Sequence, residues 1–271
     1  MSALTDTARL VNDVEVPLLG FGTWQVPDGE ATYDAVTAAL AAGYRHIDTA
    51  RAYGNEASVG RALRDSGVPR EDVFLTTKLP AEVKDYVTAV TCFEESLEKL
   101  GVDVLDLWLI HAPWPWDAIG TDHAAGNAEV WRAFEEFYAA GRVRSIGVSN
   151  FSATDIDSLV AVSTVTPQVN QVRLHVGHNQ AELSRYCAEH GIVVEAYSPL
   201  ATGRILDDPR LAEIAKEVGR TVAQVCIRYT LQRGAVSLPK TTTPSRMTEN
   251  ADVDFTLSDA HMAALDAITE D

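Results

Sequence analysis

The sequence lacks long apolar runs and is short of positive charge. No segment of its 271 residues approaches the ~20 apolar residues that span a bilayer, so we expect no membrane partner. Only 22 lysines and arginines stand against 39 aspartates and glutamates, which gives a formal net charge of −17. This balance disfavours nucleic acid as a partner, and it means that any phosphate-bearing ligand must be held by a few placed cations.

Cysteine is also scarce. Cys92, Cys187 and Cys226 lie far apart, with neither a CxxC pair nor the spacing of a zinc site, so no metal is expected. Each lies in an apolar, helix-like stretch, which predicts buried free thiols in a reducing, cytoplasmic compartment. The alternative is a nucleophilic cysteine. Residues 1–13 lack a basic region followed by an apolar one, so no secretory signal is expected.

Short β-branched runs alternate with longer amphipathic stretches, and no Gly/Ser or Pro linker divides them. Eight such units predict an α/β protein, a (β/α)8 barrel forming one domain over residues 1–271. Residues 9–11 and 14–16 predict an N-terminal β-hairpin that closes the bottom of the barrel, and residues 259–268 an extra C-terminal helix. The predicted strands cover residues 18–21, 46–48, 73–78, 105–111, 143–149, 167–171, 193–198 and 236–240, and the predicted helices include 32–42, 58–66, 86–100, 128–140 and 180–190. The alternative is an open doubly wound sheet. It is disfavoured because no predicted strand in this sequence is followed by a G-x-G-x-x-G turn.

Polar residues end most of these strands. Barrels place their chemistry at the C-terminal strand ends, and a core of Val, Ile and Leu has no structural need for Asp48, Lys78 and His111 there. Each would cost several kcal/mol if it were buried unpaired. Taken singly, each also has a structural explanation as a helix cap, a solvent-reaching lysine or a core histidine. Three such groups on consecutive strands predict a functional site. The full set of strand-end residues is Thr23, Asp48, Lys78, His111, Ser149, Asn150, Gln171, Tyr197, Ser198 and Lys240.

A tyrosine in the loop after the second predicted strand adds a proton donor. Gly54 predicts a turn that aims Tyr53 over the barrel mouth, although an ordinary surface tyrosine is the alternative. A free tyrosine has a pKa near ~10, and we expect Lys78, held by Asp48, to lower it. With His111 bound to a carbonyl oxygen, this group of residues predicts proton donation to a developing alkoxide.

Carbonyl reduction also requires a hydride, which no side chain supplies, so a nicotinamide cofactor is implied. Lys240 is followed by Thr241, Thr242 and Thr243, and Arg246 lies in the first turn of the next predicted helix. Hydroxyls, helix N-terminal amides and a guanidinium together form an anion site, which in barrels commonly lies near the eighth strand. The alternative is a basic surface turn.

Three spaced motifs resemble those of the aldo-keto reductases, and the similarity extends from Val16 to Asn250. Within that family the sequence most resembles the short bacterial members of the 2,5-diketo-D-gluconate reductase type. The motifs are GYRHIDTA at 43–50 with Glu56, Val59 and Gly60; IGVSNF at 146–151; and LPKT at 238–241 with Arg246, Glu249 and Asn250.

The resemblance implies NADPH-dependent reduction of aldehydes, ketones, dicarbonyls or keto-sugars on a barrel of this type. It implies Tyr53 as general acid, Asp48 and Lys78 as the pair that tunes it, and His111 as the group that orients the carbonyl. We expect a monomer acting on a small-molecule substrate. The implied cofactor contacts are Ser149, Asn150 and Gln171 at the carboxamide; Tyr197, stacked on the nicotinamide ring; Ser198 and Leu200 along the cofactor; Lys240, Thr241 and Arg246 at the adenosine 2′-phosphate; and Glu249 and Asn250 at the adenine. Gly22, Thr23, Trp24 and Thr242 are further expected cofactor contacts.

The chain departs from many members of that family around the substrate site. Ala112 and Pro80 stand where many members have tryptophan, and the sequence given ends at Asp271, so that a C-terminal wall is expected to be short or absent. We therefore expect a wide, partly open pocket. The expected substrate contacts are Trp24, Tyr53, His111 and Trp114. Trp114 and Trp116 either replace the missing walls or pack in a long loop.

Two other functions fit parts of the pattern. A Schiff-base lyase would use Lys78 or Lys240 as nucleophile, but it leaves Tyr53 and Arg246 unexplained. A non-catalytic, nucleotide-binding regulatory barrel would be favoured by a missing catalytic residue, and all four are present.

Overall fold

Eight parallel strands follow one another in chain order around a barrel in the computed structural model, which describes residues 3–269. The first and last barrel strands meet where Ser237 N donates to Leu18 O at 2.8 Å and Gly20 N donates to Ser237 O at 2.9 Å. The barrel is thereby closed, and the predicted (β/α)8 architecture is confirmed. The barrel strands are β3 (Phe21–Gly22), β4 (His46–Asp48), β5 (Phe74–Leu79), β6 (Leu105–Ile110), β7 (Val143–Ser149), β8 (Val169–Arg173), β9 (Val193–Tyr197) and β10 (Val236–Leu238), after a hairpin of β1 (Thr7–Arg9) and β2 (Glu15–Pro17).

Helices cover the outside of the barrel, and local signals set several of their ends. Asp85 Oδ1 accepts from Thr88 N at 2.8 Å at the start of the third helix, and Gly101, with φ 66°, ends that helix. The extra C-terminal helix is confirmed. The helices are α1 (Glu30–Ala41), α2 (Glu56–Asp65), α3 (Tyr86–Leu100), α4 (Ala124–Ala139), α5 (Ala153–Val160), α6 (Ala181–Glu189), α7 (Pro209–Val218), α8 (Val222–Gln232), α9 (Pro244–Ala251) and α10 (Asp259–Asp266).

Several element boundaries differ from the predictions. The hairpin strands are Thr7–Arg9 and Glu15–Pro17 instead of 9–11 and 14–16, and β3 is Phe21–Gly22 instead of 18–21. Two further differences have identifiable reasons. Strand β8 begins at Val169 instead of residue 167, because Pro167 has no amide hydrogen and the side chain of Gln168 accepts from Ile146 N at 2.6 Å. Helix α4 begins at Ala124, four residues before the predicted start, because its first turn packs against another loop and not against the apolar core.

The N-terminal hairpin closes the bottom of the barrel, as predicted. Its strands pair antiparallel, and Leu10 and Val16 are buried in one apolar cluster with barrel residues that include Phe74, Leu107 and Val169. The mouth at the opposite, C-terminal end of the strands is therefore the open end. Within residues 3–269, none of the helices is both long enough and apolar enough to cross a membrane.

We expect Gly60→Ala to destabilise the fold, because α2 contacts the end of α3 at this residue. A Cβ at Gly60 would lie 2.2 Å from the Leu100 carbonyl oxygen, a backbone atom that cannot move away cheaply. Alanine is otherwise favoured over glycine inside a helix, so a loss of about 1–3 kcal/mol of unfolding free energy in urea would report the clash. The control is Ala57→Gly at an exposed position of the same helix. A neutral or stabilising Gly60→Ala would contradict this packing.

Candidate active site

A buried ion pair lies at the mouth of the barrel. Lys78 on β5 is 1% exposed and Asp48 on β4 is 4% exposed, and Lys78 Nζ donates to Asp48 Oδ1 at 2.6 Å and to Thr49 O at 2.9 Å. Burial is the largest single influence and would lower the pKa of Lys78, but the surrounding acidic groups, Asp48 foremost, together outweigh it and raise that pKa above its ordinary value. The lysine is therefore a fixed ammonium and a poor nucleophile.

Tyr53 completes a short 3-10 turn between β4 and α2, which ends at Gly54 with φ 71°. Its hydroxyl lies 3.4 Å from Lys78 Nζ. Burial raises the pKa of Tyr53 to about 12, and the Lys78 charge opposes that rise. The expectation of a lowered pKa is therefore wrong in its net direction, although Lys78 acts with the expected sign. The phenol keeps its proton at neutral pH and gives it up only to a stronger base, such as an alkoxide.

His111 lies beside Tyr53, with ring centroids 5.6 Å apart and the planes at 72°. It is buried, and within residues 3–269 its Nδ1 has no hydrogen-bond partner. Burial, followed by the positive charge of Lys78, lowers the pKa of His111 to about 3. The ring is therefore neutral, with one N–H to donate.

A chain of polar side chains joins the ends of β7, β8 and β9. Tyr197 Oη donates to Asn150 Oδ1 at 2.8 Å, Asn150 Nδ2 donates to Ser149 Oγ at 3.1 Å, and Ser149 Oγ donates to Gln171 O at 2.8 Å. Asn150 Nδ2 also lies 3.0 Å from the backbone oxygen of His111. Asn150 has a φ of 61°, a left-handed conformation that is uncommon outside glycine and is often found at functional sites. These amides and hydroxyls match the hydrogen-bonding groups of a carboxamide.

Glu195, which the sequence analysis missed, lies beneath this chain in the barrel. Gln171 Nε2 donates both to Asp48 Oδ2 and to Glu195 Oε2, each at 2.8 Å. The other oxygen of Glu195 lies 3.9 Å from His46 Nε2. Burial, reinforced by the charge of Asp48, raises the pKa of Glu195 to about 8. An acidic residue inside the apolar run of β9 is the signal in the sequence that points to this position.

The residues after β3 lie at the junction of the first and last barrel strands. Gly22 N donates to Pro239 O at 3.1 Å, next to Lys240. Thr23 is buried, and both its N and its Oγ1 donate to Asp48 O, at 2.9 and 3.1 Å. Trp24 is 44% exposed at the rim. Thr23 thus supports the backbone of the ion pair, while Trp24 is accessible to a ligand.

Two cations lie close together in sequence after β10. Lys240 and Arg246 are exposed, and neither side chain forms an ion pair within residues 3–269. Thr243, the N-cap of α9, makes no side-chain hydrogen bond to the helix, and Thr241 Oγ1 accepts from Thr243 N at 3.1 Å. Thr242 is exposed in the same turn. Free cations, hydroxyls and a helix N-terminus together suit a phosphate group.

The remaining predicted cofactor contacts have mixed surroundings. Glu249 already accepts from Thr221 Oγ1 at 2.9 Å, and Asn250 is 4% exposed. Ser198, with a φ of 51°, and Leu200 are half-buried at the end of β9. The chemistry of these positions is compatible with a dinucleotide that runs from the Asn150 amide to the cations near α9.

One of the two tryptophans in the loop after β6 lies beside His111, in a pocket that was expected to be open because Ala112 and Pro80 replace tryptophans. Trp116 is edge-on to His111, with centroids 5.5 Å apart, and Trp114 is edge-on to Trp116 at 5.2 Å. Ala112 is fully buried and Pro80 is half-buried. Trp116 therefore lies at the site, while Trp114 packs against it.

The cysteines are buried free thiols, as predicted. Burial raises the pKa of each thiol, that of Cys226 to about 12, which disfavours the nucleophilic thiolate. No cluster of potential metal ligands is found within residues 3–269.

Comparison with known proteins places this geometry in context. The aldo/keto reductase family model matches residues 18–270. A glyoxal reductase of Bacillus subtilis is 43% identical, covering 100% of this chain and 95% of its own. An aldo/keto reductase from Brucella melitensis has a TM-score of 0.89 at 43% identity, covering 96% of this chain and 98% of its own. An aldo-keto reductase complexed with NADPH has a TM-score of 0.88 at 36% identity, covering 97% of this chain and 87% of its own.

Glu195→Gln is expected to change how stability depends on pH. The raised pKa of Glu195 means that the folded chain keeps a proton that the unfolded chain releases above its ordinary pKa of 4.5. This contribution to stability is full below pH 4.5 and is lost as the pH rises towards 8. From pH 5 to pH 8 the stability of the variant relative to the unmodified chain should therefore rise by about 2–3 kcal/mol in urea unfolding. Exposed Glu189→Gln is the control, and parallel curves for Glu195→Gln would contradict the burial argument.

Proposed function

The chain belongs to the aldo/keto reductase family, and we propose that it reduces small aldehydes, ketones or dicarbonyls to alcohols with NADPH as hydride donor. The observation that carries the proposal is the placement of Tyr53 between the Lys78 ammonium and the neutral ring of His111. The glyoxal reductase among its relatives supports dicarbonyls as a substrate class, and the NADPH complex of a similar structure supports the cofactor.

The four polar residues divide the work of protonation. NADPH, when bound, supplies the hydride to the carbonyl carbon. His111 donates a hydrogen bond to the carbonyl oxygen and fixes its direction. Tyr53 transfers its proton as negative charge develops on that oxygen. Lys78 stabilises the phenolate that remains, and Asp48 holds Lys78 in place and charged.

The residues that would hold NADPH follow β7 to β10 and the adjoining strand β3. Ser149, Asn150 and Gln171 would bind the carboxamide, and Tyr197 would stack on the nicotinamide ring. Gly22, Thr23, Trp24, Ser198 and Leu200 would border it. At the other end, the 2′-phosphate and adenine would be held by Lys240, Thr241, Thr242, Arg246, Glu249 and Asn250.

The substrate would lie against Tyr53 and His111, with Trp24 and the Trp114–Trp116 pair as apolar walls. Trp24 and Trp116 are both more than two-fifths exposed, which leaves aromatic surface for a ligand to cover. We expect higher kcat/KM for dicarbonyls and aromatic carbonyls than for short aliphatic aldehydes, which reach less of this surface. We further propose a monomer in a reducing cytoplasm, consistent with three free thiols.

Tyr53→Phe is expected to lower kcat for a dicarbonyl such as methylglyoxal by about 10²–10⁴-fold, the range for losing a positioned proton donor. The hydroxyl is needed only where charge develops on oxygen, so NADPH affinity, measured by fluorescence titration, should stay within about twofold. Near-full turnover by this variant would remove Tyr53 from the mechanism.

Arg246→Ala should discriminate between the two nicotinamide cofactors. If Arg246 binds the 2′-phosphate, NADPH affinity falls by about 1–3 kcal/mol, as for the loss of charge-assisted hydrogen bonds, while NADH affinity barely changes. Arg9→Ala, at the opposite end of the barrel, is the control for loss of positive charge. Equal losses for both cofactors would mean that Arg246 does not distinguish them.

A further inference from the structure

The long loop after His111 is packed against the barrel at its first residues. Residues 111–123 contain neither helix nor strand, yet Ala112 and Pro113 are buried and Trp116 lies edge-on to His111. A loop that carries a wall of the substrate site loses conformational entropy when it is ordered, so its order needs specific contacts.

Two side chains from outside the loop bind its backbone directly after His111. Lys84 Nζ donates to Ala112 O at 3.0 Å and to Asn127 Oδ1 at 2.8 Å. Asn127 Nδ2 donates in turn to Pro113 O at 2.9 Å. The amide of Asn127 thus uses its oxygen for the lysine and its nitrogen for the loop. Lys84 precedes α3 and Asn127 lies in the first turns of α4. Side chains from two different segments therefore donate to the consecutive carbonyl oxygens of Ala112 and Pro113.

A glycine allows this close approach. A Cβ at Gly126 would lie 2.7 Å from Lys84 Cβ and 2.9 Å from Lys84 O. Any larger residue would push α4 away from the lysine, and the hydrogen bond from Lys84 to Asn127 would lengthen.

The position of Lys84 has an electrostatic cost. Its ammonium lies near the N-terminal turns of α4, where the helix dipole disfavours a cation, and its closest partners are neutral oxygens. Burial lowers the pKa of Lys84 to about 8, with Glu82 and Asp155 opposing the change. Lys84 would be better solvated if it pointed outward, so the two hydrogen bonds must offset this cost.

We propose that Lys84 and Asn127 are positioning residues for the substrate site: they clamp the backbone after His111 and thereby hold Trp116 against the His111 ring. Neither side chain is part of the proposed proton transfer or of the cofactor site. The clamp sets substrate affinity and selectivity, and it makes Trp116 the aromatic wall in a chain that has alanine at position 112. The effect on selectivity rests on the proposed carbonyl reduction, whereas the order of the loop does not.

The test compares Lys84→Met with Lys84→Arg and with Lys216→Met, a change at an exposed lysine of α7. Lys84→Met keeps the apolar stem and removes the donors. Amide hydrogen exchange in residues 112–121 should become faster by on the order of tenfold, because the loop opens locally. With NADPH, KM for phenylglyoxal should rise about 5- to 10-fold, as for the loss of one or two hydrogen bonds, with kcat and the Kd of NADPH within twofold. Lys84→Arg keeps a charged donor and should retain much of the exchange protection and the KM of the unmodified chain. Lys216→Met should change neither.

The two kinds of failure are separable. If the unmodified chain reduces no carbonyl, the proposed function fails, and hydrogen exchange alone decides the clamp. Unchanged exchange and KM in Lys84→Met would overturn the clamp, as would an equal loss of kcat for every substrate. Should Lys84→Met not fold, Asn127→Asp keeps an acceptor for Lys84, now a charged one, and removes the donor to Pro113. Faster exchange of the Ala118 amide of that variant, which donates to Pro115 O at 2.9 Å, would support the clamp, and unchanged exchange would overturn it.

Discussion

The buried pair of Asp48 and Lys78 is the interaction on which the rest of the site depends. An ammonium with 1% exposure in a barrel of apolar strands is tolerable only with a carboxylate 2.6 Å away and a carbonyl to take a second N–H. The two residues come from adjacent parallel strands, so the pairing of β4 with β5 brings them together. Once fixed, the ammonium gives the Tyr53 hydroxyl a cationic neighbour and helps to keep His111 neutral.

Burial keeps two other titratable groups near that ion pair neutral. The pKa of Glu195 is raised to about 8 and that of His46 is lowered to about 4, both mainly by burial. Gln171 connects the two carboxyl groups without adding charge, because its amide nitrogen donates to both. Lys78 and Asp48 are therefore the charged pair of the mouth, and Lys78 lowers the pKa of Tyr53 while Asp48 raises it.

Chemistry and selectivity are supported by different parts of the fold. Of the residues proposed for proton transfer, Asp48 and Lys78 lie on β4 and β5 and His111 follows β6, where strand pairing limits their movement. Tyr53 lies in the short 3-10 turn after β4. The aromatic walls lie on loops, and the loop after His111 is held by side chains that precede α3 and begin α4. Loop contacts of this kind can change between related barrels without disturbing the strands, so the substrate can vary while the acid and its ion pair stay the same.

The sequence by itself determined the barrel, the hairpin at its base, and the strand ends that bear Asp48, Lys78 and His111, because periodicity reports local burial and backbone geometry. The tertiary structure alone decided what those residues meet. Burial outweighed Lys78 at the Tyr53 hydroxyl, Gln171 bridged to a glutamate inside β9, and Trp116 took the place beside His111. Lys84 and Ala112 are 28 residues apart, and no local pattern signals their contact. Desolvation and side-chain hydrogen bonds of this kind depend on which loops the closed barrel brings into contact, and that information exists only in three dimensions.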